Sequence, residues 1–171
     1  MRDVLTPELK KLAETAASRK SPVGTVDGVA CVRNCVERGP ALYSNTNERL
    51  GIEFGVEKVP FPGIEVMDPR IVRIPPGRNN ERHKHAHESI FVIVEGRGEV
   101  LIGEQRAQVK AGDVAFVPRW LVHQTSNTGD TDLVVLAITD FGFTSAVLGD
   151  YDRRTRLREG GADAQQEEAA R

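Results

Sequence analysis

Hydrophobic positions follow two different periods along the chain. Near the N-terminus Leu5, Leu9, Leu12 and Ala16 recur at helical spacing, with Thr6 placed to cap and Pro7 and Glu8 in the first turn. That pattern predicts one short amphipathic helix over 5–17. From Val29 onward the period shortens. Val29, Ala30, Cys31, Val32 and Val36 make a β-like run, and Ile52, Phe54 and Val56 alternate with charged or small residues. Beyond Pro60, prolines and glycines punctuate short apolar runs at 68–74, 89–94, 99–102, 113–117 and 132–139. Short strands at this spacing predict an all-β sandwich or barrel over 29–150, preceded by a helix and lead-in at 1–28.

The run Ser89-Ile90-Phe91-Val92-Ile93-Val94 is apolar on both parities, so neither of its faces prefers water. It is expected to be a central strand covered on both sides. A small barrel has few elements left to cover an outer face, and a second copy of the chain is an economical cover, which predicts a homodimer. After Tyr151 come Arg153-Arg154-Thr155-Arg156 and then a stretch rich in Gly, Ala, Gln and Glu. With little to bury, 151–171 is expected to be a mobile tail without chemistry.

At 171 residues and 39% hydrophobic content the chain can bury one good core. Its 23 basic and 25 acidic residues leave a net charge of -2, which offers no long-range attraction to nucleic acid or anionic lipid. The longest apolar run, 133–138, is far too short to cross a bilayer, and the charged N-terminus lacks the apolar core of a signal peptide. These features predict a cytoplasmic protein with neither nucleic acid nor membrane as partner. Cys31 and Cys35 cannot build a disulfide framework and make a poor zinc site, so they read as reduced side chains on a strand.

Candidate chemistry is concentrated in the histidines. Of the four in the chain, three crowd into Arg82-His83-Lys84-His85-Ala86-His87-Glu88, and the fourth is His123. Residues two apart on an extended segment point the same way, so His83 and His85 can present imidazoles to one point. His87 shares their parity, but the turn into the strand at Ser89 can aim it elsewhere. His123, from a later strand, can close the site across the barrel. An isolated His-x-His is commonly a solvated loop, and the surrounding spacing overturns that reading here. Gly77 is followed after five residues by His83 and His85, and Gly96 ends the strand. Gly112 is followed after five residues by Pro118, then by Trp120, His123 and Asn127.

These two segments, in this order, resemble both signature motifs of the cupin superfamily, over about 68–140. The resemblance implies a double-stranded β-helix, a jelly-roll barrel, with a divalent metal ion held inside by His83, His85 and His123. Imidazole suits Fe(II), Zn, Mn, Ni and Cu alike, so the ligands do not name the metal; Fe(II) is favoured. Two departures stand out. The family's glutamate ligand is replaced by Ser89, and Glu88 falls one place early, facing the other side unless the strand is bulged. A three-histidine site is therefore favoured over one that recruits Glu88 or Glu81, and His87 remains an open fourth. In the second motif Trp120 stands where glycine is usual, either walling the pocket or packing its rim. Ser89 and Trp120 are the candidate catalytic residues, Ser89 by hydrogen bonding to substrate or a bound water. Arg73, Arg82 and Arg119 border the motifs as weaker candidates for a carboxylate clamp. Gln124 faces away by parity, whereas Phe91 and Ile93 continue inward from Ser89 and should make an apolar wall.

A divalent ion on three neutral imidazoles keeps its full charge and open coordination positions, which favours a small chelating anion. The stretch from Pro118 to Gln124 with Asn127-Thr128-Gly129-Asp130 is similar to the second motif of gentisate-type three-histidine dioxygenases. The resulting expectation is a mononuclear metal-dependent oxygenase acting on a phenol, hydroxy acid or enol, with O2 as co-substrate. Two alternatives stand beside it: a non-oxidative isomerase, decarboxylase or lyase, and a small-molecule binding module without catalysis.

Overall fold

The computed structural model describes residues 29–148 apart from position 65, together with residues 7, 10 and 156–158. Alternation along the strands sorts side chains between an inner and an outer face. In Ile52–Lys58 (β2) the residues Ile52, Phe54 and Val56 are buried in the core, as their spacing predicts. This strand lies in a six-stranded sheet. Its order is Ala41–Asn47 (β1), β2, Asp68–Ile74 (β3), Leu133–Thr139 (β10), Ser89–Glu95 (β5) and Val114–Val117 (β8). The facing sheet runs Arg156–Arg158 (β11), His83–His85 (β4), His123–Asn127 (β9), Arg97–Ile102 (β6) and Gln105–Lys110 (β7). Every named pairing is antiparallel, and the two sheets enclose one apolar core containing Ile74, Phe91, Ile93, Val100, Leu133 and Val135. This is the jelly-roll barrel that the motifs imply. The helix Phe141–Leu148 (α1) follows β10.

Register stacks the side chains of the larger sheet in rows. Val117, Ser89, Thr139 and Asp68 are paired neighbours across β8, β5, β10 and β3. Two residues deeper come Ala115, Phe91, Ala137 and Arg70, and deeper still Ile93, Val135, Val72 and Val56. Polar groups thus end the barrel where Ser89 lies, and apolar groups floor it. Gly96 turns the chain between β5 and β6 with φ +79, and a Cβ there would come within 2.5 Å of the Asp132 carbonyl. A side chain is excluded by both backbone and space.

β5 is central, between β10 and β8, as its apolar pattern predicts. Its outward Ile90 is exposed, and Val114 and Phe116 on β8 are exposed beside it. The β-like run at the start is a correction. Val29–Cys31 is a 3-10 helix, Cys31 is exposed, and Cys35 lies in a bend, so neither cysteine is on a strand. The reason is competition: residues 36–39 are held against the outside of the sheet by side chains instead of a ladder. Arg73 donates to the Val36 carbonyl at 2.9 Å, and Glu57 accepts from the Gly39 amide at 2.9 Å. Of the expected N-terminal helix only Pro7 and Lys10 are described, both helical. The expected tail lies outside the described residues except for Arg156–Arg158, which pair with β4. No helix among the described residues is long and apolar enough to cross a membrane.

Candidate metal centre

The two motif segments are stitched together before either presents a histidine. The Asn127 amide donates to the Arg78 carbonyl at 2.8 Å, Gly77 N–H donates to the Asn127 carbonyl at 3.2 Å, and Asn80 N–H donates to Thr125 at 3.0 Å. The Asn127 side chain donates to Ile74 and Thr131 carbonyls and accepts from Gly129, which makes this motif residue a turn lock inside the barrel end. With that seam closed, β4 and β9 pair at His83 and His123.

His83, His85 and His123 are all buried, and one ring nitrogen of each lies within 4.8 Å of the others. Their ring centroids are 4.3 to 5.3 Å apart. Each Nδ1 sits against a backbone carbonyl: His83 on Glu81 at 2.8 Å, His85 on His87 at 2.9 Å and His123 on Leu121 at 2.9 Å. A carbonyl only accepts, so each Nδ1 is the N–H and each Nε2 keeps its lone pair. Three neutral Nε2 donors with fixed tautomers form the set that a first-row divalent ion takes, and the carbonyls supply the outer support that such ligands usually have. The residues present fit a metal.

Ser89 is 1% exposed and lines the same cavity, and its Oγ has no hydrogen-bond partner. A hydroxyl left this way costs stability unless something binds it, so the cavity is short of a polar guest next to the histidines. Glu88 is exposed and directs its carboxylate toward Arg119, 3.8 Å away. Glu81 is buried, accepts from the Asn45 side chain and does not line the cavity. Neither carboxylate joins the three histidines. His87 does line the cavity, outside the three-nitrogen group, stacked on His85 with centroids 3.5 Å apart and planes at 14°.

Trp120 is not among the cavity-lining residues. It is 44% exposed in the turn after β8, where its amide donates to the His85 carbonyl at 2.7 Å. Its φ is +59, the left-handed region that favours glycine. The turn that delivers this amide to His85 therefore explains why glycine is usual here, and it turns the indole to the rim. The three arginines flanking the motifs are also turned elsewhere. Arg73 pairs with Glu57 on the outer face at 3.0 Å, Arg82 is exposed, and Arg119 bonds Asp140, Ala86 and Thr144. The arginine that faces the cavity is Arg70, accompanied by Tyr43, Asn80 and Thr139. Phe54, Val56, Val72, Phe91 and Ala137 form the apolar wall. Arg70 shares the parity of Val72 and Ile74 on β3, a signal present in the sequence but unreadable until register says which parity faces in.

Residues 70–139 match the family model of the cupin domain. Together with the barrel and the two motifs this makes the matched stretch a cupin domain. The chain is 38% identical over 68 residues to an oxalate-binding protein of Thermotoga maritima, covering 39% of this chain and 56% of that protein. It is 33% identical over 106 residues to a 5-nitrosalicylic acid 1,2-dioxygenase of Bradyrhizobium sp, covering 61% and 48%. The fold superposes on salicylate 1,2-dioxygenase of Pseudaminobacter salicylatoxidans with a TM-score of 0.55 at 16% identity, over 63% of this chain and 31% of that one. The chain spans about half the length of the curated relatives it matches.

Proposed function

We propose that this chain is a mononuclear metal-dependent oxygenase of dioxygenase type, acting on a small anionic organic molecule that chelates the metal: a phenol, hydroxy acid or enol. The observation that carries this reading is the buried group of three neutral histidine nitrogens, with Ser89 where the family's carboxylate would stand. His83, His85 and His123 would hold the ion, Fe(II) by preference and Zn, Mn, Ni or Cu as alternatives. When bound, the ion supplies Lewis acidity and, if it is iron, redox chemistry toward O2. The chain's own residues prepare the rest. Neutral donors leave the site's charge to be balanced by an anion. Ser89 Oγ offers a hydrogen bond to that anion, and Phe54, Val72 and Phe91 exclude water from it. The likeness to the 5-nitrosalicylic acid dioxygenase supports an aromatic acid among the candidate substrates. Exposed Ile90, Val114 and Phe116 support a homodimer in which a second copy covers β5 and β8.

The test is metal analysis of anaerobically purified protein followed by O2 uptake with salicylate and gentisate. Iron near one per chain together with substrate-dependent O2 uptake is the expected result. Stoichiometric metal without O2 uptake would overturn the oxygenase reading. It would favour binding of a small dicarboxylate, the reading supported by the likeness to the oxalate-binding protein.

A further inference from the structure

Among the described residues lining the cavity, Arg70 is the one that carries a fixed charge. Its side chain is 22% exposed, so the charge is largely withdrawn from water. Asp68 does not saturate it. Arg70 Nε donates to Asp68 Oδ2 at 2.7 Å, and Nη2 lies 2.5 Å from the same oxygen. Both contacts fall on one oxygen and one edge of the guanidinium, and Nη1 makes no hydrogen bond to a described residue. The Phe141 ring lies 5.2 Å from the guanidinium carbon and also packs edge-on against His87, centroids 6.0 Å apart, so one aromatic ring steadies both. Across the sheet Arg70 is paired with Ala137, and Ala137 with Phe91. A methyl group between two long side chains leaves a slot between guanidinium and phenyl ring. The adjacent row is Ser89 and Thr139, which line the same cavity as the histidines.

Resting on the reading above, we infer that Arg70 is the specificity-determining residue of the cavity, binding a carboxylate carried by the substrate at a distance from its metal-chelating oxygens. The fork of Nη1 and Nη2 matches the two oxygens of a carboxylate, which a lysine could not do. The slot against Phe91 selects a flat molecule. The substrate class is a small planar acid, an aromatic or enolic carboxylate whose chelating groups reach the histidines while its carboxylate reaches Arg70. Asp68 is the competitor that this anion displaces from part of the guanidinium.

Calorimetric titration of 3,4-dihydroxybenzoate and catechol, which share two vicinal chelating hydroxyls and differ in a carboxylate remote from them, tests this on the Fe(II)-loaded full chain under argon. The wild-type chain should prefer 3,4-dihydroxybenzoate. Arg70→Gln should weaken 3,4-dihydroxybenzoate binding by roughly ten- to a hundred-fold, the loss of a charge-assisted pair, and leave catechol within about two-fold. Arg70→Lys should recover part of the loss. Asp68→Asn should tighten 3,4-dihydroxybenzoate binding, because it removes the competitor; a merely structural Asp68–Arg70 pair predicts loss from both variants. The inference is overturned by a wild-type chain that binds both probes equally or neither, by Arg70→Gln weakening both alike, or by Asp68→Asn weakening 3,4-dihydroxybenzoate. If Arg70→Gln fails to fold, the sign of the Asp68→Asn effect decides alone. The same titration on metal-free chain separates this inference from the proposed function: a carboxylate preference there belongs to Arg70, whereas absence of bound metal removes only the oxygenase reading.

Discussion

The larger sheet carries buried polar groups on both faces, and the two groups differ in whether their hydrogen bonds are complete. On the outer face Glu57 and Arg73 are 6% and 8% exposed. Glu57 accepts from Arg73, Arg38 and the Gly39 amide, while Arg73 also donates to the Val36 and Glu37 carbonyls. On the inner face Ser89 is as deeply buried, yet its hydroxyl has no partner, and it lines the same cavity as His83, His85 and His123. Burial of polar atoms is common to both. Completion separates a cluster that holds the chain together from one arranged around a guest.

The largest expected effect falls on the histidines of the cavity. His123→Ala should abolish stoichiometric metal binding, measured by metal analysis, and cost the fold little beyond a cavity. A variant that keeps full occupancy would show that these histidines do not share an ion. Next comes the complete cluster. Glu57→Ala leaves Arg73 charged and buried and should destabilise the fold by about 3–5 kcal/mol in a denaturant titration, with metal stoichiometry unchanged. The same group predicts a pH dependence. Burial pulls the Glu57 carboxyl upward, but the Gly39 amide and the Arg73 and Arg38 guanidinium groups outweigh it and hold it below its ordinary 4.5. A depressed carboxyl stabilises the fold above that ordinary value and loses its contribution as pH falls through the lowered one. Glu57→Gln should flatten stability over that acid range, and an unchanged slope would count against the cluster.

Ser89 sharpens the contrast by separating stability from function. Ser89→Ala removes an unsatisfied buried hydroxyl and should leave stability unchanged or raise it by about 1 kcal/mol, the opposite sign to Glu57→Ala. Ser89→Glu should keep metal binding and lower the affinity for anions, because a carboxylate now supplies the missing charge. If anion affinity is unmoved, the charge argument for an anionic substrate fails. The smallest effect belongs to the rim. Trp120→Gly relieves a left-handed backbone and should stabilise the fold by no more than about 1 kcal/mol, read from thermal melts, with metal binding unchanged.

Short apolar runs bounded by proline and glycine placed five strands correctly to within about two residues, because the turns between strands need those residues whatever the neighbours. The spacing of two histidines on an extended segment, with a third in a later motif, was likewise legible, because a metal site constrains local geometry as well as the fold. The same local logic failed at 29–36, where apolar residues suggested a strand. The distant side chains of Arg73 and Glu57 hold the chain at Val36 and Gly39, where a ladder would have to form. It failed again in choosing among arginines. Arg73 and Arg70 lie three apart on β3, and only the pairing of β3 with β2 and β10 turns one outward to Glu57 and the other toward the cavity. Trp120 repeats the lesson, since its departure from glycine is visible in the chain but its left-handed turn and rim position are set by the His85 carbonyl. The barrel, its two motifs and the histidines that meet were readable from the chain alone. Which polar groups were completed and which were left for a guest was decided by register, because partners across a sheet are distant in the chain and a one-residue shift exchanges the faces.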